Sequence, residues 1–176
     1  MARKKSFNKD DVLERAMNLF WKQGFHATSM QDIVQNATES RSSLSKCFGN
    51  YIAFFDQALS NYCRPTAEGV KALLSNEKSV KSGIRNLLES SIHCTISDAD
   101  KKGCFVVNST TELVPGDDEM LKALSKNRAS FEKVFFEFLQ KGQATGEIPP
   151  NKDIKTLSGL IYTVFSGLNG LSKLEK

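Results

Sequence analysis

A chain of 176 residues, 40% hydrophobic and 25% charged, has the composition of a soluble globular protein with one good core, or with a small head and a larger body. Its net charge of +4 is mild, and no apolar run approaches the length that spans a bilayer. The basic start Met1-Ala2-Arg3-Lys4-Lys5 leads into Ser6-Phe7-Asn8-Lys9-Asp10-Asp11, not into the apolar stretch of a secretory signal, so a cytoplasmic protein with no membrane partner is expected.

Cys47, Cys63, Cys94 and Cys104 are scattered without a C-x-x-C pair, and His26 and His93 are the two histidines. This predicts reduced thiols, no metal and no cofactor. No G-x-S-x-G, H-E-x-x-H or phosphate-cradling glycine loop occurs, and no spacing pairs carboxylates for acid–base work, so an enzyme is not expected.

Helical periodicity runs through nearly the whole chain. Val12, Leu13, Ala16, Met17, Phe20 and Trp21 predict a first helix over 9–23, with Asp10 and Asp11 at its positive end and Gly24 as its stop. A second begins near Thr28, where Thr28-Ser29-Met30-Gln31 has the form of a capping box, and buries Met30, Ile33, Val34 and Ala37. Ser40 is placed to cap a third helix, which Gly49-Asn50 ends. A longer helix runs from Tyr51 into the low seventies, where Pro65 predicts a kink or break. Further helices are predicted over 79–96, from Cys104, over 117–143 and over 152–173. The last is apolar on more than one side, so one face is expected to meet a partner. The fold class is all-α.

The third segment, Ser40-Arg41-Ser42-Ser43-Leu44-Ser45-Lys46-Cys47-Phe48, is the most telling. Leu44 and Phe48 sit four apart on one helix face, and the rest offers hydroxyl and basic groups outward. Residues 1–64 hold nine Lys+Arg against six Asp+Glu, while 65–176 hold fifteen against fourteen, so the positive excess lies beside this segment. Arg41, Ser42, Ser43 and Lys46 are therefore candidates to touch base edges and phosphates of double-stranded DNA, with a plain solvated face as the alternative. Arg3, Lys4 and Lys5 could form an arm toward the minor groove or a merely solubilising tail.

Residues 12–56 resemble the helix-turn-helix head of the tetracycline-repressor (TetR) family. The likeness is carried by Val12-Leu13-Glu14-Arg15-Ala16 through Asn18-Leu19-Phe20, by Gly24-Phe25-x-Ala27-Thr28-Ser29-Met30-x-Asp32-Ile33, and by Ser40-Arg41-Ser42-Ser43-Leu44 with Phe48-Gly49-Asn50. Gly103-Cys104-Phe105-Val106-Val107-Asn108 and Gly142-Gln143-Ala144-x-Gly146-Glu147-Ile148 are similar to body segments in one branch of that family. The resemblance implies a DNA-binding domain over 1–50 and an effector-binding and dimerisation domain over 51–176. It further implies a homodimeric repressor on palindromic operator DNA that is released by a small molecule. In such proteins the third helix enters the major groove and the last two helices form the dimer interface.

Three positions depart from the family pattern: Thr38 where a turn glycine is usual, Ser45 where an aromatic phosphate ligand is usual, and Tyr51 where a lysine is common. They define the alternative, a helical ligand- or protein-binding dimer that has lost operator recognition. Thr28, Gln31 and Tyr51 are the backbone-positioning candidates, and the resemblance implies that Ser45 occupies a phosphate-contacting slot. Tyr62, His93, Phe105, Asn108, Phe131, Phe135 and Tyr162 are the effector-pocket candidates, each weighed against ordinary core packing. Gly159, Thr163, Gly167 and Gly170 recur at near-fourfold spacing and are expected to form the dimer stripe.

Overall fold

The computed structural model describes residues 8–114 and 116–171. Among them eight helices follow in order: α1 (Lys9–Gln23), α2 (Met30–Ala37), α3 (Arg41–Phe48), α4 (Tyr51–Ser75), α5 (Val80–Ser97), α6 (Phe105–Leu113), α7 (Asp118–Ala144) and α8 (Ile154–Leu171). The fold is all-α, as expected. The Arg3-Lys4-Lys5 arm, Pro115 and the end of the last helix at 172–173 lie outside the described residues. The chain divides into two compact units, one ending at Cys63 and the other starting at Arg64.

The first unit is held by aromatic rings. Phe20 of α1 has no exposed surface and meets Tyr51, Phe54 and Phe55 edge-on. Phe48, the last residue of α3, stacks on Phe54 with centroids 4.4 Å apart. Each buried ring contributes about 1.5–3 kcal/mol, so α3 is bound to the unit chiefly through Leu44 and Phe48, which are 1% and 5% exposed. Gln57 of α4 secures the end of α3 by donating from Nε2 to the Phe48 carbonyl at 2.8 Å.

Two expectations about helix ends are corrected. The capping box of α2 is Ser29 with Asp32, one residue later than Thr28 with Gln31. Ser29 Oγ accepts from the Asp32 amide at 3.1 Å, and the Asp32 carboxylate accepts from the Ser29 amide at 2.7 Å. Thr28 is instead buried, donating its hydroxyl to the Gly24 carbonyl at 2.7 Å. Of the kink or break expected at Pro65, the break does not occur: α4 continues to Ser75. The missing amide of Pro65 leaves the Asn61 carbonyl without its usual helical partner, and the two units part close to that point.

In the second unit Val70, Leu74, Leu87, Phe131, Phe135 and Phe138 form the buried core, with Ile84, Ile161 and Phe165 packed against it. The pairing of α5 with α7 is close because two glycines permit it. A Cβ on Gly83 would meet Phe138, and one on Gly142 would meet Val80 and Ile148. Beyond α7, Glu147 reaches back to the start of α5, its carboxylate accepting from Val80 N at 2.6 Å and Lys81 N at 2.9 Å. The segment Gly142 to Ile148 is thus a clasp between α7 and the N-terminus of α5.

Candidate nucleic-acid interface and body cleft

Helix α3 turns its polar face outward. Ser40 caps it, accepting at Oγ from the Ser43 amide at 3.2 Å. Arg41, Ser42, Ser45 and Lys46 are exposed, and neither cation makes an ion pair among the described residues. Ser43 is half-buried, its hydroxyl 2.9 Å from Ser40 Oγ. Thr28, Ser29, Met30, Arg41, Ser45, Asn50 and Tyr51 line a cleft of about 420 Å³ that joins the starts of α2, α3 and α4.

Ser45 and the backbone-positioning candidates divide. Ser45 lines this cleft and is exposed. Gln31 is exposed and stands outside the capping box. Thr28 lines the cleft while its hydroxyl proton is held by Gly24. Tyr51 is a brace: its hydroxyl donates toward the carbonyls of Phe25, at 2.6 Å, and Thr28, and its ring packs on Phe20 and Phe25. Asp32 keeps its carboxyl below the usual range, first through the Ser29 hydroxyl and then through the Ser29 amide. It therefore stays ionised and keeps α2 capped.

The body candidates also divide. His93 is exposed on α5, so ordinary core packing does not account for it. Asn108 donates from Nδ2 to the Lys102 carbonyl at 2.9 Å, tying down the loop before α6. Tyr62 lies in the first unit against Trp21, ring centroids 4.9 Å apart. Phe105, Phe131 and Phe135 are 1%, 4% and 0% exposed and are core. Tyr162 does line a cleft, one of about 290 Å³ between α6, α7 and α8, shared with Val106, Val107, Thr110, Thr111, Val114, Leu121, Leu124, Ser125, Arg128 and Ser166. Sequence reasoning missed most of these because they come from three helices whose register no local pattern reveals.

The small-residue stripe on α8 is split as well. Thr163 and Gly167 are exposed beside Leu160, Val164 and Leu171, which are 57%, 42% and 62% exposed. A Cβ on Gly167 would meet nothing, whereas one on Gly170 would lie 3.1 Å from Val107 of α6. Gly170 thus serves packing between α8 and α6 of the same chain. Gly159 is half-buried, with Glu132 Oε1 3.7 Å from where its Cβ would stand.

A three-helix head with a capped, polar-faced third helix, followed by a separate helical body, is the architecture of a helix-turn-helix transcriptional regulator. Residues 12–57 match the model for bacterial regulatory proteins of the tetR family, and residues 81–176 match that of the tetracyclin repressor-like C-terminal domain. The chain belongs to the TetR family. It is 32% identical over 168 residues to the HTH-type transcriptional repressor ComR of Escherichia coli (strain K12), covering 95% of this chain and 80% of ComR. It is 28% identical over 148 residues to the uncharacterized HTH-type transcriptional regulator YezE of Bacillus subtilis (strain 168), covering 84% and 76% of the two chains. Its fold is similar to that of the TetR family regulator CifR, solved as a cysteine mutant in complex with 26-base-pair double-strand operator DNA. The TM-score is 0.90 at 26% identity, over 99% of this chain and 91% of that one.

Proposed function

We propose that this protein is a ligand-responsive repressor that binds palindromic operator DNA as a homodimer, with α3 in the major groove. The observation that carries this is the outward row Arg41, Ser42, Ser45 and Lys46 on a helix anchored from behind by Leu44 and Phe48. Arg41 is assigned to a guanine edge, with Ser42 and Ser43 beside it, while Ser45, Lys46, Gln31 and the rim of the 420 Å³ cleft meet phosphates. Tyr51 and Thr28 support that surface from behind. The exposed face Leu160, Thr163, Val164, Gly167 and Leu171 of α8 is assigned to the symmetric contact with a second copy. A cytoplasmic site of action follows from this role.

The helical body, the second unit, takes a small-molecule effector. To release DNA, that effector must bind the DNA-incompetent arrangement of the dimer more tightly than the competent one. A gel-shift titration against DNA upstream of its own gene tests the whole proposal. A specific complex that weakens steeply with salt is expected, the slope reporting the phosphates neutralised. Arg41→Ala should reduce discrimination at one base position by about 1–3 kcal/mol; an unchanged base preference rejects the assignment.

A second possibility, a dimer that has lost operator recognition, draws on two features. Tyr51 keeps its hydroxyl proton inside the head, and Ser45 is too short to match an aromatic phosphate ligand. Flat, weak, sequence-indifferent binding in the same salt titration would favour it.

A further inference from the structure

We infer that the cleft between α6, α7 and α8 accepts a neutral, largely apolar molecule with one hydrogen-bond-accepting oxygen, and that Arg128 reads that oxygen. The inference deepens the effector role proposed above and rests on it. Val106 and Val107 of α6 face Leu121 and Leu124 of α7 across about 290 Å³, near the lower end of the roughly 300–1,000 Å³ of small-molecule sites. That is room for a molecule of one or two rings. Leu121 is 42% exposed at this cleft, and an apolar ligand would cover it.

The charge balance selects the ligand. Arg128 is the cationic side chain among the lining residues. Its Nε donates to Glu132 Oε1 at 2.7 Å, and its guanidinium lies 5.8 Å over the Tyr162 ring. Glu132 cancels the charge, so a ligand carboxylate would meet a neutral pair and a competing carboxylate. A guanidinium carries five N–H donors, so with Nε given to Glu132 its Nη groups still have protons to donate to a carbonyl or ether oxygen. Thr110 and Thr111 add a second bias. Their hydroxyl protons go to the Val106 carbonyl at 2.7 Å and the Asn108 carbonyl at 2.9 Å, so neither has a proton to stabilise an anion. Tyr162 and Ser166 lie on the side of α8 away from Leu160, Val164 and Leu171, so pairing through that face leaves the cleft open.

Three probes of one shape test this on the full-length protein by NMR titration: acetophenone, benzoate and ethylbenzene. Acetophenone should bind most tightly, with benzoate and ethylbenzene about tenfold weaker, the difference of one hydrogen bond to a charged donor. Arg128→Met should bring acetophenone down to the level of ethylbenzene. Glu132→Gln should free the guanidinium charge and lift benzoate above acetophenone. Leu121→Trp, made at an exposed position, should weaken all three by filling the mouth. The inference is overturned by benzoate binding the unaltered protein as tightly as acetophenone, or by a carbonyl preference that survives Arg128→Met. Binding indifferent to Leu121→Trp, or no binding of any probe at millimolar concentration, overturns it equally. Gel shifts with operator DNA run alongside. Probe binding without operator release leaves the cleft chemistry standing and defeats the effector role. Release that ignores both Leu121→Trp and Arg128→Met defeats the cleft and keeps an effector role elsewhere.

Discussion

Thr38 closes α2 with φ 56° and ψ 31°, in the left-handed region where a β-branched side chain is unfavourable. Its hydroxyl donates to the Ala37 carbonyl at 2.7 Å, which offsets part of the strain. Thr38→Gly should therefore stabilise the protein by about 1 kcal/mol, measured by urea unfolding; a loss of stability would show that the hydroxyl bond outweighs the backbone term. Tyr51 makes the opposite case. Where the family often carries a lysine, this chain has a phenol whose proton serves the turn into α2. Tyr51→Phe should cost about 1–2 kcal/mol and loosen the cleft that Ser29 and Met30 help to form. Unaltered unfolding of that variant would remove the bracing role. That role was not legible in the sequence, because the partners lie 26 and 23 positions away in the chain.

At the scale of the helices, periodicity located the elements well, since burial on one face leaves a repeat of 3.6. Helix ends were harder. Thr28 and Ser29 are both suitable caps by type, and only the packing of Thr28 against Gly24 decides for Ser29. Ser79 caps α5 locally through the Ser82 amide, but the amides of Val80 and Lys81 were beyond local reasoning because Glu147 satisfies them from beyond the end of α7. Accepting from the amides of Lys81 and Val80 holds its carboxyl below the ordinary 4.5. A lowered folded value means that this contribution is complete above the unfolded value and is lost as pH falls through the folded one. The melting temperature should drop on acidification below about pH 4.5. Glu147→Gln should be less stable than the parent at neutral pH, with the gap narrowing in acid. Equal melting curves at neutral pH would contradict the clasp.

For the whole molecule, the consequential surface is the exposed face of α8. Val164→Asp would place a charge in the proposed symmetric contact, where desolvation makes an unpaired carboxylate costly. The variant should sediment as a monomer under conditions where the parent is a dimer, and operator affinity should fall with it because two heads bind together. A dimer unaffected by the charge would move the interface elsewhere. Gly170 shows why spacing alone misled: it belongs to the same small-residue repeat as Thr163 and Gly167, yet it packs against Val107.

The sequence by itself determined the helices, the anchoring of α3 by Leu44 and Phe48, and the membership of the family, because each depends on local period or on residues in fixed order. Only the tertiary structure decided which groups remain available for a partner. It buried Phe105, Phe131 and Phe135 in the core, turned His93 to solvent, engaged the hydroxyls of Thr28 and Tyr51, and brought Arg128, Leu121 and Tyr162 to one cleft. The physical reason is that a side chain's availability depends on the hydrogen bonds and contacts made across helices, and those follow from packing rather than from spacing along the chain.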